Sequence, residues 1–282
     1  MQWARIEPLL PDRTPRRGGR WRDHREVIDA IAWKFQTGSQ GVHLPERYGS
    51  WKGAYNRLRN WAIDGTWERV FTALLAQADA EEDLDWVVAV DSTIVRAHQH
   101  AAGARKKEAP AGEPDDHAIG RSRGGLTTKV HLAADSKCRP LAFVLTPGQA
   151  GDAPAFETVM RALRVPRPVG RPRIRPVTVL ADKAYSSRAI RAHLRRRGIK
   201  AVIPIPADQR AHRKWCGSQG GRPPAFDREA YKQRNAVERC INRLKQWRGI
   251  ATRYEKTATV YLAGLHLAGI FSGPHADQIG AA

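Results

Sequence analysis

Two short apolar runs that each end at an aspartate restrict the fold of this chain more than any other feature. Residues 86–90 lead into Asp91, and residues 177–181 lead into Asp182. Short runs of this kind, rich in β-branched and small residues, are typical of strands buried on both faces of a sheet. Helical patterns lie between and after them, so the sequence predicts an α/β fold in which helices flank a mixed sheet.

Apolar spacing, capping residues and turn residues predict the remaining elements of this sheet and its helices. Strands are expected at residues 126–134 and 139–145, joined as a hairpin, and at residues 200–205. Helices are expected at residues 153–163, 187–197, 227–247 and 257–271. Loops at residues 164–176 and 205–226 are rich in proline, glycine or basic residues, and we expect them to be mobile or ordered by a partner.

The N-terminal part of the chain is predicted to be all helical, with helices at residues 25–35, 51–63 and from 66 onwards. The three helices resemble a helix-turn-helix unit, and the middle one carries the candidate DNA-binding cations Lys52, Arg57 and Arg59. A small bundle that only packs on the main domain is the alternative. We therefore predict a helical DNA-binding or accessory domain at residues 1–80 and a second domain, built on the mixed sheet, at residues 81–282.

The charge of the chain indicates a polyanionic partner. Lys and Arg total 48 against 28 Asp and Glu, which gives a net charge of +20. Basic side chains displace counterions from phosphates, so this surplus favours a nucleic acid, either DNA or, for a nonspecific binder, RNA. A membrane surface is disfavoured, because no basic amphipathic helix with a bulky aromatic face stands out.

Signals for export, membrane insertion and structural zinc are weak or missing from the sequence. No stretch approaches the roughly 20 apolar residues that a membrane helix needs, and the N-terminus lacks the apolar run of a signal peptide. The cysteines, Cys138, Cys216 and Cys240, are scattered without CxxC spacing. We expect a soluble cytoplasmic protein with no membrane partner.

A predicted helix near the C-terminus places polar side chains on one face. Residues at three- and four-residue spacing fall within an arc of roughly 80°, and they are Tyr231, Arg234, Glu238, Asn242 and Lys245. A solvated face with salt bridges would also explain this pattern. If the strands that end at Asp91 and Asp182 are neighbours, however, their carboxylates converge and need a metal ion or a proton between them. If a metal ion binds there, oxygen ligands favour Mg²⁺ or Mn²⁺.

These residues also carry a family resemblance. The string Tyr231-x2-Arg234-x3-Glu238-x6-Lys245 resembles the signature of bacterial insertion-sequence transposases of the DDE class, and it matches all four fixed positions. Residues 90–93 and 181–185 are similar to the segments around that family's two aspartates, and residues 124–129 to its strand after the first. The N-terminal portion is similar to the accessory domain of the same group. The resemblance covers nearly the whole chain and implies a ribonuclease H-like catalytic domain.

Carried over residue by residue, the resemblance assigns catalysis and metal binding to Asp91, Asp182 and Glu238. It implies two Mg²⁺ or Mn²⁺ ions, which would support cleavage at the ends of an insertion sequence and joining to target DNA by in-line phosphoryl transfer. The further DNA contacts that we predict are Tyr231, Arg234, Lys245, Arg121 and Arg123. The expected partners are double-stranded DNA and, by analogy, a second copy of the chain in a homodimer on that DNA. In the bacterial cytoplasm the protein would associate with the nucleoid when bound.

Two other chemistries are compatible with parts of the sequence. His193-x2-Arg196 followed by Tyr231 would suit a tyrosine recombinase, although such a pattern arises easily by chance in an arginine-rich helix. The histidines in His98-Gln99-His100, and the pair of His212 and Cys216, are weak candidates for metal ligands.

Two other functions would share most of the sequence features that indicate a transposase. A catalytically retired DNA-binding regulator would keep the charge and the helix-turn-helix but has no need of all three acids. A ribonuclease H-like nuclease acting on RNA or on hybrid duplexes would share the acids, and end-specific DNA binding would separate it from a transposase.

Overall fold

The computed structural model describes residues 2–14, 21–104 and 109–272. The N-terminal helices are α1 (Gln2–Ile6), α2 (His24–Thr37), α3 (Trp51–Ile63) and α4 (Thr66–Ala80). The later helices are α5 (Gln99–Ala102), α6 (Asp152–Ala162), α7 (Arg188–Arg196), α8 (Ala207–Trp215), α9 (Arg228–Lys232), α10 (Asn235–Gln246), α11 (Arg248–Ala251) and α12 (Ala258–Phe271). No helix within the described ranges is long and apolar enough to cross a membrane.

A mixed sheet forms the centre of the molecule. Its strands are β1 (Val87–Ala97), β2 (Gly120–Ser122), β3 (Gly125–Ala134), β4 (Pro140–Pro147), β5 (Thr178–Ala181), β6 (Lys200–Val202) and β7 (Thr252–Arg253). The path runs β2-β3-β1-β5-β6, with β4 beside β3 and β7 beside the end of β1. β3 is antiparallel to β1, whereas β5 is parallel to β1 and β6 is parallel to β5. The predicted α/β fold with a mixed sheet flanked by helices is confirmed.

The first strand is longer than its apolar run predicts. Asp91 was expected to follow the strand, but it lies within β1, which continues to Ala97. The reason is the antiparallel partner: β3 pairs with β1 from Ala89 to Arg96 and satisfies its backbone well beyond the end of β5. Asp91 therefore sits at the point where β1 loses its parallel neighbour, and one flank of the strand opens there.

The predicted long helix at residues 227–247 is broken into α9 and α10. The amides of Gln233 and Arg234 donate to carbonyls three residues back, at Ala230 (3.1 Å) and Tyr231 (3.0 Å). Such bonds tighten the turn relative to an α-helix and shift the two segments against each other. Tyr231 and Glu238 therefore do not share one regular helical face, contrary to the prediction.

The two long loops are more ordered by the chain itself than expected. Residues 205–226 contain α8 and a short 3₁₀ turn, Gly217–Gly220. Because α8 has no buried residues, it leaves no apolar periodicity in the sequence from which a helix could be predicted. In residues 164–176, Arg173 bonds to Asp79 (3.1 Å) and stacks 4.1 Å from the Trp86 ring, which ties this loop to the core.

The N-terminal helices and the C-terminal helix share one hydrophobic core. α12 packs on α3 and α4, and α11 packs on α2. Phe35 of α2 is fully buried against Gly249 and Gly264, where a larger side chain would collide with it. A boundary near residue 80 stays a prediction, since the helices on both sides of it bury their apolar faces together.

Replacing Gly264 by valine is expected to destabilise the fold. A Cβ at this position would lie 2.5 Å from Cζ of the buried Phe35 ring. Overpacking of this kind typically costs about 1–3 kcal/mol. The control is Gly53→Ala in exposed α3, where a Cβ meets nothing within 4 Å, and where alanine is expected to stabilise by roughly 0.5–1 kcal/mol. Thermal unfolding should move in opposite directions for the two variants; an unchanged midpoint for Gly264→Val would contradict the packing of α12 on α2.

Candidate active site

Two of the predicted acids lie side by side on neighbouring strands. Val90 of β1 is in register with Ala181 of β5, so the next residues, Asp91 and Asp182, are adjacent as well. Neighbouring strands are about 4.8 Å apart, and side chains at paired positions project to the same face. Burial raises the pKa of Asp91 and the negative charge of Asp182 adds to the rise, whereas the Ser92 N–H and the Arg234 guanidinium oppose it. Two such carboxylates require a cation nearby.

The third acid comes from α10, which packs on β1 and β3. Its buried residues Val237, Cys240 and Leu244 hold the helix on the sheet and leave Glu238 facing the opening beside β1. A single guanidinium then joins two of the acids. Arg234 Nη1 donates to Asp91 Oδ2 (2.9 Å), and Arg234 Nη2 donates to Glu238 Oε1.

The donor chemistry of this site fits a hard divalent cation, with Arg234 standing in for it. Carboxylate oxygens are the ligands that Mg²⁺ and Mn²⁺ prefer. Within the described ranges, no group of three His, Cys, Asp or Glu side chains is close enough to hold a metal ion together. The Arg234 guanidinium lies between Asp91 and Glu238 and bonds to both. These two acids thus share one cationic partner from within the chain.

The other residues of the signature lie around these acids. The Tyr231 ring lies 5.8 Å from the Arg234 guanidinium and 5.2 Å from the Phe226 ring. Lys245 Nζ donates to the Ile94 carbonyl at 3.4 Å, a long contact, and burial lowers the pKa of Lys245. Lys245 is therefore held beside β1, on the stretch that continues past Asp91.

The cations predicted to bind DNA outside the signature differ in their surroundings. Lys52 and Arg59 on α3 and Arg121 and Arg123 beside β2 are exposed. Arg57 points inward instead: its guanidinium stacks on the Trp21 ring (4.2 Å) and the Trp61 ring (5.1 Å) and bonds to His24 Nδ1 (2.8 Å). None of these cations touches the acids, so a role for them depends on a ligand that extends away from the carboxylates.

In the part of the chain that the structure describes, the histidines of the recombinase and metal-ligand hypotheses lack contacts that those hypotheses need. His193 Nδ1 lies 3.5 Å from Glu157, and its ring packs on Phe156 rather than on Tyr231. His98 and His100 stack on each other with ring centroids 5.0 Å apart. Cys216 Sγ lies 3.8 Å from His212 Nδ1. Within the described residues neither metal reading gains the third ligand that it needs.

A polar network under the acids was missed by sequence reasoning. Gly151 is the N-cap of α6, and the next residue, Asp152, accepts through Oδ1 from Ser92 Oγ (2.6 Å) and Lys129 Nζ (3.0 Å). Although burial alone would raise the pKa of Asp152, these two hydrogen bonds bring it below its usual value. Ser92 follows Asp91 and projects to the opposite face of β1. No local pattern links these residues, since they come from separate elements.

Asp152→Ala is expected to reduce metal affinity and cleavage by roughly 10–100-fold, a typical cost of removing a residue that supports metal ligands. The loss follows because the variant frees Ser92 and leaves Lys129 without its carboxylate. Ser92→Ala should give a smaller loss in the same direction, and Ser92→Thr should restore part of it. The measurements are Mn²⁺ titration and DNA nicking, with Glu157→Ala on the exposed side of α6 as the control. Wild-type behaviour of Asp152→Ala in both would exclude this supporting role.

Most residues of the chain match models of known protein families. Residues 82–270 match the family described as "Transposase DDE domain". Residues 1–71 match the family described as "Putative transposase of IS4/5 family". The boundary between the two matches lies close to the predicted domain boundary.

Individual relatives are similar in parts of the chain. A putative transposase for insertion sequence element IS6501 from Brucella ovis is 32% identical over 143 residues, which cover 51% of this chain and 95% of the relative. A putative transposase for insertion sequence element IS402 from Burkholderia cepacia is 33% identical over 148 residues, or 52% of this chain and 62% of the relative. An uncharacterized protein, y4sN, from Sinorhizobium fredii is 40% identical over 105 residues, or 37% and 80%.

Among solved structures, a Mos1 transposase paired-end complex with left transposon end aligns over 96% of this chain and 86% of its own. The sequence identity is 15% and the TM-score is 0.26. A TM-score below 0.5 does not establish a common fold, so the architecture is defined by the strand order and the family match.

Proposed function

Because the chain belongs to the transposase DDE domain family, we propose that Asp91, Asp182 and Glu238 form its active site. The chain is a DNA transposase, an enzyme that cleaves DNA and transfers strands. We infer the ribonuclease H-like fold of its class from the mixed sheet and its strand order. One observation carries the assignment of these residues. Asp91 and Asp182 are adjacent across β1 and β5, and Glu238 shares one guanidinium with Asp91.

The three carboxylates would hold two Mg²⁺ or Mn²⁺ ions through their oxygens. Bound there, such ions would supply activation of the attacking water or 3′-hydroxyl and stabilisation of the leaving oxygen in an in-line displacement. The role of the protein backbone here is to position the three acids. β1 and β5 set Asp91 and Asp182 side by side, while α10 brings Glu238 from the other side of the opening.

The cations beside the acids would orient the DNA. Lys245 lies along β1 past Asp91, where it would meet a phosphate of the strand next to the scissile bond as a point charge. Tyr231 would contact the backbone or a flanking base. The exposed cations far from the acids, Lys52, Arg59, Arg121 and Arg123, would extend this contact, whereas Arg57 would act mainly by holding α3 in place.

The partners follow from this chemistry. Element-end DNA and target DNA, both double-stranded, would occupy the site in turn, and two copies of the chain would pair the two ends as a homodimer on the DNA. We place this activity in the bacterial cytoplasm, with the protein on the nucleoid while bound.

The direct test is incubation of the purified chain with candidate element-end DNA, with and without Mn²⁺, scored for nicking and strand joining. We expect metal-dependent nicks at the element end and joined products. End-specific binding without cleavage would instead indicate a retired regulator. Cleavage of RNA or hybrid duplexes without end preference would indicate a nuclease.

A further inference from the structure

We propose that Arg234 is the internal cation of the metal-free site, which must leave the carboxylates before a divalent ion binds and which then moves to a DNA phosphate. The inference rests on the proposed function, because it takes Asp91 and Glu238 as metal ligands. Its consequence is that metal and DNA bind cooperatively, each strengthening the other.

The hydrogen bonds of Asp91 show that Arg234 and a divalent ion cannot occupy the same carboxylate oxygen at the same time. Asp91 Oδ1 accepts from the Ser92 N–H (2.8 Å), and Asp91 Oδ2 accepts from Arg234 Nη1 (2.9 Å). The oxygen that faces the opening is therefore the one that Arg234 occupies. An ion such as Mg²⁺ needs that oxygen at about 2.0–2.1 Å in near-octahedral geometry. It cannot reach this distance while a guanidinium nitrogen lies in the same space.

Electrostatic repulsion also prevents Arg234 and a divalent ion from occupying the site together. Asp182 acts on Asp91 as a like charge, and Arg234 pairs with Asp91 and Glu238, so without a metal ion it offsets part of the negative charge of the acids. Once a divalent ion is present, the guanidinium becomes a like charge at close range in a partly buried setting. The Arg234 side chain is only 18% exposed, so water does little to screen that repulsion.

Arg234 is held at the acids by polar contacts. It is the N-cap residue of α10, in the tightened turn after α9, and its guanidinium bonds to Asp91 and Glu238. A scissile phosphate at the metal site would put anionic oxygens near its present position. The guanidinium fork binds such oxygens in pairs, as it now binds two carboxylates. One exchange thus removes the repulsion and creates a DNA contact.

This exchange makes a thermodynamic prediction. If DNA takes Arg234 away from the acids, DNA must raise the affinity for metal, and metal must raise the affinity for DNA by the same factor. Without Arg234 the carboxylates would be free for metal at all times, and the factor should fall to the part that direct contact between the metal ion and DNA oxygens supplies.

The test is Mn²⁺ titration of the full-length chain by electron paramagnetic resonance, with and without element-end duplex DNA. We expect wild type to bind Mn²⁺ at least about tenfold more tightly with DNA, a coupling within the usual allosteric range. Arg234→Met should bind Mn²⁺ more tightly than wild type does without DNA, and should gain less affinity from DNA than wild type gains. Arg239→Met, an exposed position on the same helix, should match wild type.

A second comparison separates displacement from a general loss of positive charge. Lys245→Met removes a charge near the site without freeing Asp91, so it should raise Mn²⁺ affinity far less than Arg234→Met does. Equal gains in both variants would overturn the exchange, as would Mn²⁺ binding by Arg234→Met that equals wild type with and without DNA. Failure of all variants and of wild type to bind Mn²⁺ would overturn the metal site itself and, with it, this inference.

Discussion

Replacing Asp91, Asp182 or Glu238 by its amide is expected to reduce Mn²⁺-dependent DNA cleavage by on the order of 10⁴-fold, as loss of a catalytic group commonly does. Each amide keeps the shape of the side chain but removes the charge and one oxygen ligand. Asp91→Asn retains an oxygen that can still accept from Arg234, so the fold around the site should persist. DNA binding should change little, since the basic surface that attracts phosphates is unaltered.

The measurement is nicking of element-end DNA, with binding followed separately by fluorescence anisotropy. Glu229→Gln is the matched control, because Glu229 is a largely exposed acid on α9 that pairs with Lys232 away from the carboxylates. It should cleave as wild type does. Full turnover by any one of the three amide variants would remove that residue from the active site.

Acid is expected to destabilise the protein steeply between about pH 6.5 and pH 4. Burial lowers the pKa of His131 to about 4 and that of His266 to about 4. In the unfolded chain both would bind a proton near pH 6.5. Between these values the unfolded state holds more protons than the folded state, so stability falls as the pH falls. Two such groups give a slope of roughly 3 kcal/mol per pH unit.

The surroundings of the two histidines explain why they stay neutral. The His266 ring stacks 5.1 Å from the Phe71 ring and meets the Phe143 ring edge-on at 5.8 Å. His131 lies in β3 and is fully buried, and its Nε2 bonds to Thr146 Oγ1 (2.9 Å). The negative charge of Asp152 opposes the lowering of the His131 pKa, but burial outweighs it.

Thermal unfolding from pH 7.5 to pH 4.5 measures this effect. His266→Phe should lose less stability between pH 7.5 and pH 4.5, because the variant keeps an aromatic ring but has no titrating nitrogen. His43→Gln, at an exposed position on the N-terminal part, should lose stability as steeply as wild type does. A wild-type midpoint that stays constant down to pH 4.5 would contradict neutral burial of His131 and His266.

Local sequence predicted those elements whose signal is local. α3 was placed correctly at residues 51–63, because apolar residues recur at helical spacing between Ser50 and Gly65. β5 was predicted because Val179, Leu180 and Ala181 form an apolar run, and in the structure all residues of the strand are buried. In contrast, α8 was read as a loop, because a helix without a buried face has no apolar period to detect.

The candidate site likewise contains residues that the local sequence indicated and residues that it did not. Asp91 and Asp182 stood out because each follows an apolar run, and Glu238 stood out through the spacing of its signature. The break before Asn235 was invisible, since a shift from four-residue to three-residue hydrogen bonds needs no special residue. The network of Asp152, Ser92 and Lys129 was invisible too, because its members meet only through the packing of α6 on the sheet.

The sequence by itself determined the class of this protein: buried strands, flanking helices, a surplus of positive charge and acids at defined spacings. These properties depend on residue type and short-range period, which a chain carries before it folds. Only the tertiary structure decided that Asp91 and Asp182 are adjacent and that Arg234 joins Asp91 to Glu238. Strand register and side-chain pairing depend on segments far apart in the chain, and contact between such segments arises only when the sheet and α10 pack together.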